Sequence, residues 1–477
     1  MKRFVTGEDR RQGAAFPGRL DDYVAEDSFA RVVDVFVDSL DLVRCGFKGM
    51  IPKATGRPGY HPSVLLKLYV YGYLNRVQSS RRLEKECKRN LEVMWLTGGL
   101  TPVFKTIASF RRNNGPAIRK VCDEFVKLCR RNRLLSAASA AIDGSKFKAV
   151  NARDKNFTRA KVQKRLRQME DSLKRRQSQL ETALRQPSTP QVRIDHLQRK
   201  IENLKQNTAF LQSLGARLAG GEEKQISLTD PDARSLATSG AGTGTVGYNV
   251  QCVVDTKHHL IVAHEVTNVG NDSSLLSAMA RLAQEALGAR AIDAVVDRGY
   301  YDGEEILACE QAGVTLYIPR RHTSGAKAKG RYGKQDFIYA ASEDVYICPA
   351  GDRLTRHFTN VEDGKTLHHY WTTACSSCPL KEKCTPAPER RITRWEHEDV
   401  LDAVQDRLDR NPEAMTLRRS VVEHPFGTIK FWMGAAHFLM KRLPHVRTEM
   451  ALHVLSYNMK RVMNSLGVGG LLQAICA

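Results

Sequence analysis

Nowhere in the 477-residue chain does an apolar run reach the ~18 residues that a membrane helix needs, and residues 1–9 lack the apolar stretch of a signal peptide. A cytoplasmic protein without a membrane partner is therefore expected. A disulfide framework is missing too. The 11 cysteines are odd in number and irregular in spacing, so clustered ones read as metal ligands rather than cross-links. Acidic residues are outnumbered: 52 Asp and Glu against 74 Lys and Arg leave a formal charge of +22 and a pI near 9.6. That excess calls for a polyanionic partner, nucleic acid first. What the chain does have is length and a 42% hydrophobic content, enough for more than one core and a multidomain arrangement.

Residues 27–42 place Val32, Val33, Val35, Phe36, Val37, Leu40 and Leu42 at helical spacing. Gly56, Pro58, Gly59 and Pro62 then mark a loop. From Pro62 to about Arg131 the pattern is helical, with Leu65, Leu66, Leu68, Tyr69, Tyr71 and Leu74 apolar and a basic stretch between Arg81 and Arg89. Another helix starts near Thr106 and carries Arg111 and Arg112. Short basic helices between tight turns are similar to a helix-turn-helix unit, so residues 1–133 are assigned as helical and DNA-binding.

Residues 136–142 are small and apolar and read as a buried strand delivering Asp143 at its end. Residues 161–219 differ. Val162, Leu166, Met169, Leu173, Leu180 and Ala183 form one heptad series, and Ile194, Leu197, Ile201, Leu204, Thr208 and Leu211 form a second, with a turn over 186–191 between them. This predicts an antiparallel coiled-coil hairpin whose basic face (Lys164, Arg165, Arg167, Lys174, Arg175, Arg176) is solvated. The Gly-rich segment 220–247 contains Asp230 and Asp232, read as turn residues. Strands follow at 248–254 and 260–266, a helix at 273–287, a strand at 291–296 leading into Asp297, a helix at 303–312 and a strand at 314–318.

Without the hairpin the order is β-β-β-α-β-α, that of a ribonuclease-H-like mixed α/β sheet covered by helices. The first part of this core is residues 134–160 and 220–320. A cysteine-rich insertion, 321–403, interrupts it again, and 404–477 supply its C-terminal helices. There an apolar helix over 449–466 closes the core, with Trp432 as a packing residue.

Within that last part, Glu423 follows Arg419 by four positions and Lys430 follows Glu423 by seven. At about 100° per residue the three share one helical face, a carboxylate between two cations, although Pro425 should kink or restart the helix. Such a face suits a metal-bound phosphate.

Several stretches together resemble bacterial insertion-sequence transposases of the DDE type, in the branch with a coiled-coil insertion. They are residues 60–111, Ile142 to Gly144, Thr229 to Arg234, Gly247 to Gln251, Asp297 to Tyr300, and Arg419 to Lys430. The family signature around the third carboxylate is Tyr, Arg, Glu and Lys. Here Arg419, Glu423 and Lys430 match it, while Thr416 stands at the Tyr position, which in related enzymes helps hold the DNA end.

The resemblance implies three carboxylates, Asp143, Asp297 and Glu423, holding two Mg²⁺ (or Mn²⁺) ions for in-line attack on a phosphodiester, with Arg419 and Lys430 on phosphates. Double-stranded DNA at the element's ends and at the target would be the partner, and two ends require at least a homodimer. A nuclease that cuts without joining, and a DNA-binding descendant without chemistry, are the alternative readings. Apart from that chemistry, Cys348, Cys375, Cys378 and Cys384 include a Cys-x2-Cys pair and suffice for a structural Zn²⁺ site.

Overall fold

Alternation along the first core strand, β1 (Ser139–Lys148), sorts the molecule into two layers. Ala140 and Ile142 enter one apolar cluster, Ala141 and Phe147 the other. The computed structural model describes residues 19–51, 58–151, 153–188, 190–220, 225–236, 244–321 and 325–477. The expected loop residue Gly56 and parts of the 220–247 segment lie outside these.

Besides a short strand, Arg234–Leu236, that pairs antiparallel with Thr245–Gly247, the remaining core strands are β2 (Thr245–Asp255), β3 (Ile261–Thr267), β4 (Ile292–Val296) and β5 (Val314–Tyr317). They pair in the order β3-β2-β1-β4-β5, with β1 antiparallel to β2 and parallel to β4, and β4 parallel to β5. This is the ribonuclease-H-like arrangement. β2 is buried almost end to end, as befits a strand covered on both faces. Its Gly247 is required by proximity: a Cβ there would fall 1.9 Å from the Phe147 carbonyl oxygen on β1.

On one face, the helices Phe29–Asp38, Pro62–Leu74, Gly115–Arg131, Leu276–Leu287 and Gly303–Gln311 share a single apolar cluster with the sheet. The N-terminal helices therefore pack into the same core as the strands. The helix expected over 27–42 is the shorter Phe29–Asp38, because Ser28 caps it by accepting from the Ala30 amide at 3.0 Å. Arg111, expected on a basic outer face, is instead buried and donates to the Tyr73 hydroxyl at 2.6 Å. Arg81, Arg82, Lys85, Lys88 and Arg89 are exposed.

The opposite face is covered by the helix Ala414–Gly427. The long C-terminal helix, Leu443–Cys476, closes both layers: Leu452, Leu455 and Met459 enter the first cluster, Val446, Met450 and Tyr457 the second. It begins earlier than residue 449 and breaks at Gly467, where φ is 74° and ψ 169°.

Between β1 and β2, helices Arg159–Arg185 and Gln191–Gly220 form an antiparallel hairpin. Val162, Leu211, Leu214 and Leu218 share an apolar cluster near its base. A short ladder of Asn156–Thr158 with Gln225–Ser227 ties the base together, and Arg159 donates to the carbonyls of Leu218 and Ala219, each at 3.0 Å.

Asp230 and Asp232 form a turn, as expected, and that turn anchors the C-terminal helix. Asp230 is fully buried, accepting from the Tyr248 hydroxyl at 2.7 Å and the Arg442 amide at 2.9 Å; Asp232 accepts from the Leu443 amide at 2.8 Å. Asp230→Ala leaves the buried Tyr248 hydroxyl and the Arg442 amide without their acceptor and is expected to cost roughly 2–4 kcal/mol, against about 1 kcal/mol for Tyr248→Phe. Urea unfolding of the two variants checks this, and equal losses would refute the anchoring role.

Candidate active site

Strand register brings the first two predicted carboxylates together. Ile142 lies beside Val296 in the parallel β1–β4 pair, so the next residues, Asp143 and Asp297, emerge side by side. Asp143 accepts from the Gly144 amide at 2.8 Å. Asp297 caps the short turn Arg298–Tyr300 by accepting from the Gly299 amide at 3.3 Å.

Arg418 stands between them. One of its terminal nitrogens, Nη1, lies 3.1 Å from Asp143 and the other, Nη2, 3.4 Å from Asp297. The approach to Asp143 is close but poorly directed, since Nη1 is buried without a hydrogen bond of good geometry. This contact is thus mainly electrostatic. Burial pushes the Asp143 carboxyl up to about 6, with Arg418 and the Gly144 amide opposing the shift and Asp297 and Asp272 adding to it.

The sequence pattern pointed to Arg419, Glu423 and Lys430. The helix carrying the first two does not restart at Pro425; it continues to Gly427 and passes into a π-helical turn, Thr428–Trp432, which holds Lys430. Lys430 reaches Ser145 on β1, Nζ to Oγ 2.6 Å, and sits over the Phe147 ring. Burial lowers its pKa and Asp143 opposes the shift. Arg419 and Glu423 are exposed and make no hydrogen bond or ion pair with other described residues. It is therefore Arg418, one step round the helix, that meets the carboxylates. Among the described residues no group of three or more His, Cys, Asp or Glu side chains is arranged to hold a metal ion.

A fourth carboxylate escaped sequence reading. Asp272, in the loop after β3, accepts from Asn249 at 2.5 Å, Gln251 at 2.8 Å and Lys146 at 3.3 Å. Gln251 also accepts from the Tyr300 hydroxyl. A Cβ on Gly299 would lie 3.5 Å from Asp297 Oδ2 and 3.9 Å from Asp272 Oδ2, so the two carboxylates flank one glycine. Gly144 must likewise stay bare, because a Cβ there would fall 2.4 Å from the Gln251 amide nitrogen.

Trp432 and Phe431 correct another expectation. Instead of packing in the core they are 67% and 80% exposed just beyond Lys430, with the Arg76 guanidinium over the Trp432 ring at 5.8 Å.

The sheet order and its paired strand-end carboxylates define a ribonuclease-H-like core protein. Two family models match the chain: a Transposase domain (DUF772) over residues 18–113 and a Transposase DDE domain over residues 347–463. The chain thus carries two segments similar to transposase domains, the second of the DDE type. No curated protein matches it. A solved piggyBac transposase synaptic complex with hairpin DNA is 9% identical at a TM-score of 0.32, covering 94% of this chain and 78% of that one, a likeness too low to carry any argument.

The raised Asp143 value has a signed consequence. A carboxyl with a folded pKa near 6 and an unfolded value near 4 favours folding while protonated, and that contribution is lost as pH rises through 6. Asp143→Asn, a permanently neutral substitute, should therefore gain stability over wild type between pH 4.5 and 7.5, by on the order of 2 kcal/mol in chelator. Urea unfolding at both pH values measures this; a pH-independent difference would sink it.

Proposed function

We propose that the chain is a DDE transposase that cuts DNA at the ends of its own element and joins the 3′ ends to a target, with Mg²⁺ or Mn²⁺ held by Asp143, Asp297 and Glu423. The observation that carries the reading is the meeting of Asp143 and Asp297 at adjacent strand ends with a cation between them. Hard carboxylate oxygens suit such ions, and the cost of keeping Asp143 charged in a buried setting favours a cation there. When bound, the metal supplies activation of the attacking water or 3′-hydroxyl and stabilisation of the leaving oxygen.

The chain's own residues do the rest. Arg418 compensates the paired carboxylates and offers a guanidinium fork to a phosphate placed beside them. Glu423 lies one turn after Arg419 on the same helix, and Lys430, in the π-turn that follows, reaches the residue two beyond Asp143. Arg419, exposed and without an ion pair among the described residues, is available to phosphate. The exposed basic residues between Arg81 and Arg89 supply sequence-independent attraction to duplex DNA. Acting on two ends calls for at least a homodimer on DNA, with the helical hairpin as one contact.

The decisive comparison is Mg²⁺-dependent cleavage of DNA carrying the element's ends, wild type against Asp297→Asn. Cleavage lost by the variant with DNA binding retained is the expected result. Binding without cleavage by wild type would instead favour a DNA-binding descendant, and cleavage without strand transfer a nuclease.

Trp432 generates a second expectation. An exposed indole beside phosphate-binding residues is suited to stacking on an unpaired base. Trp432→Ala should weaken binding to frayed or hairpinned ends by roughly 5–100-fold, the equivalent of about 1–3 kcal/mol, while blunt duplex is bound as before. Equal losses on both DNAs in a fluorescence-anisotropy titration would rule out stacking.

A further inference from the structure

The segment between β5 and the helix Glu398–Arg410 folds around its own five-stranded sheet, with strands Ile338–Ala340, Val345–Ile347, Arg353–Glu362, Lys365–Trp371 and Ile392–Trp395. Among the described residues its own apolar cluster has five buried members, Phe337, Tyr346, Leu354, Tyr370 and Ile392. A core of that size is small for a unit of this length, and such units commonly rely on a staple.

Four cysteines stand at one end of this sheet. Cys348 follows the strand Val345–Ile347 in a tight turn, its amide donating to the Asp352 carbonyl at 2.9 Å. Cys375 lies in the turn Thr373–Ser376 after the strand Lys365–Trp371, Cys378 is three residues on, and Cys384 ends the short helix Lys381–Cys384. All four line one cavity of about 20 Å³, room for roughly one water-sized sphere. None is in a disulfide. Arg390 lines the same cavity, and its Nε is buried with no hydrogen-bond partner.

From this geometry we infer that Cys348, Cys375, Cys378 and Cys384 form a structural Zn²⁺ site that closes the cysteine-rich insertion. As placed, the four thiols line the cavity without forming a finished ligand set. Each sulfur, however, is carried on a single rotatable bond, and the donor set is the tetrahedral four-thiolate type that zinc takes in closed sites. On binding, each thiol gives its proton to solvent and its sulfur lone pair to the metal. Zn²⁺ with four thiolates carries a net charge of −2, and Arg390 is at hand to offset part of it. With no position left open, the metal serves folding, apart from the carboxylate centre.

The test uses the full chain, purified without a histidine tag. Elemental analysis should find about one zinc per chain, retained in Asp297→Asn and Cys476→Ser and lost in Cys378→Ser. Cys378→Ser also removes a ligand on which folding of the insertion depends, so native iodoacetamide labelling of the wild type gives an independent reading. All four cysteines are partly exposed, so protection of this set until a chelator is added supports the site. Cobalt substitution should give thiolate-to-metal charge-transfer bands. Zinc absent from protein grown in zinc-supplemented medium, four cysteines that label equally with and without chelator, zinc unchanged in a folded Cys378→Ser protein, or iron in its place would each overturn the assignment.

Discussion

Two carboxylates brought together at the edge of a buried sheet repel each other and lose hydration, and the Arg418 guanidinium between Asp143 and Asp297 answers both problems at once. Each structural layer is needed for that meeting. The parallel β1–β4 register sets the two carboxylates side by side. Alternation along β1 turns Asp143 toward the layer of Ala141, the layer that the helix Ala414–Gly427 covers. That helix buries Val421, Val422, Pro425 and Phe426, and Arg418 lies on the same side of the cylinder. Shifting the helix by one residue would turn its apolar row out of the sheet and take the guanidinium with it.

The way a buried carboxylate is satisfied separates framework from site. Asp255 accepts from the amides of Ser136, Lys257 and His258; Glu449 accepts from those of Leu439 and Met440; Asp230 accepts from the Arg442 amide and the Tyr248 hydroxyl. These acceptors are saturated by groups the backbone fixes, and they hold a loop or helix end in place. Asp143 and Asp297 each take one amide hydrogen bond and otherwise face a side-chain cation. Lone pairs left to a movable partner are available to an incoming ligand, whereas lone pairs held by the main chain are not. Asp272 falls between the two cases: its partners are side chains, but Asn249 and Gln251 hold it from within the sheet.

Much of this was legible in the residues. Runs of apolar side chains and their alternation predicted five of the core sheet's six described strands in order, missing Arg234–Leu236, and strand ends pointed to Asp143 and Asp297. What stayed hidden depended on packing between distant segments. Arg418 and Arg419 are neighbours about 100° apart on a helix, and only the sheet beneath decides which faces inward. Pro425 looked like a stop, yet a helix already pinned by burial tolerates a missing amide and loosens into a π-turn a few residues later. Asp272 stands just before a helix, where a carboxylate is ordinarily a cap, so its place beside Gly299 had no local signal. Trp432 looked apolar enough for the core, but it ends the π-turn with its ring exposed.

Both insertions enter where they leave the site register untouched. The helical hairpin leaves β1 and returns to β2 through a ladder beyond the paired segment that holds Asp143, so its length adds nothing to the distance between the strands. The cysteine-rich segment leaves after β5 and returns into the helix Glu398–Arg410, where the connection is electrostatic. Glu398, largely buried, meets Arg320 at 2.5 Å and Lys334 at 2.8 Å, and Arg394 meets Asp402 at 2.9 Å. Breaking a buried pair leaves its partner uncompensated, so these contacts fix where the insertion docks more than they add net stability. That fixed docking point hands the chain on to the helix carrying Arg418 and Glu423. The position of Arg418 therefore depends on an insertion that contributes no residue to the carboxylate pair, and the spacing between Asp143 and Asp297 in sequence carries no information about their spacing in the fold.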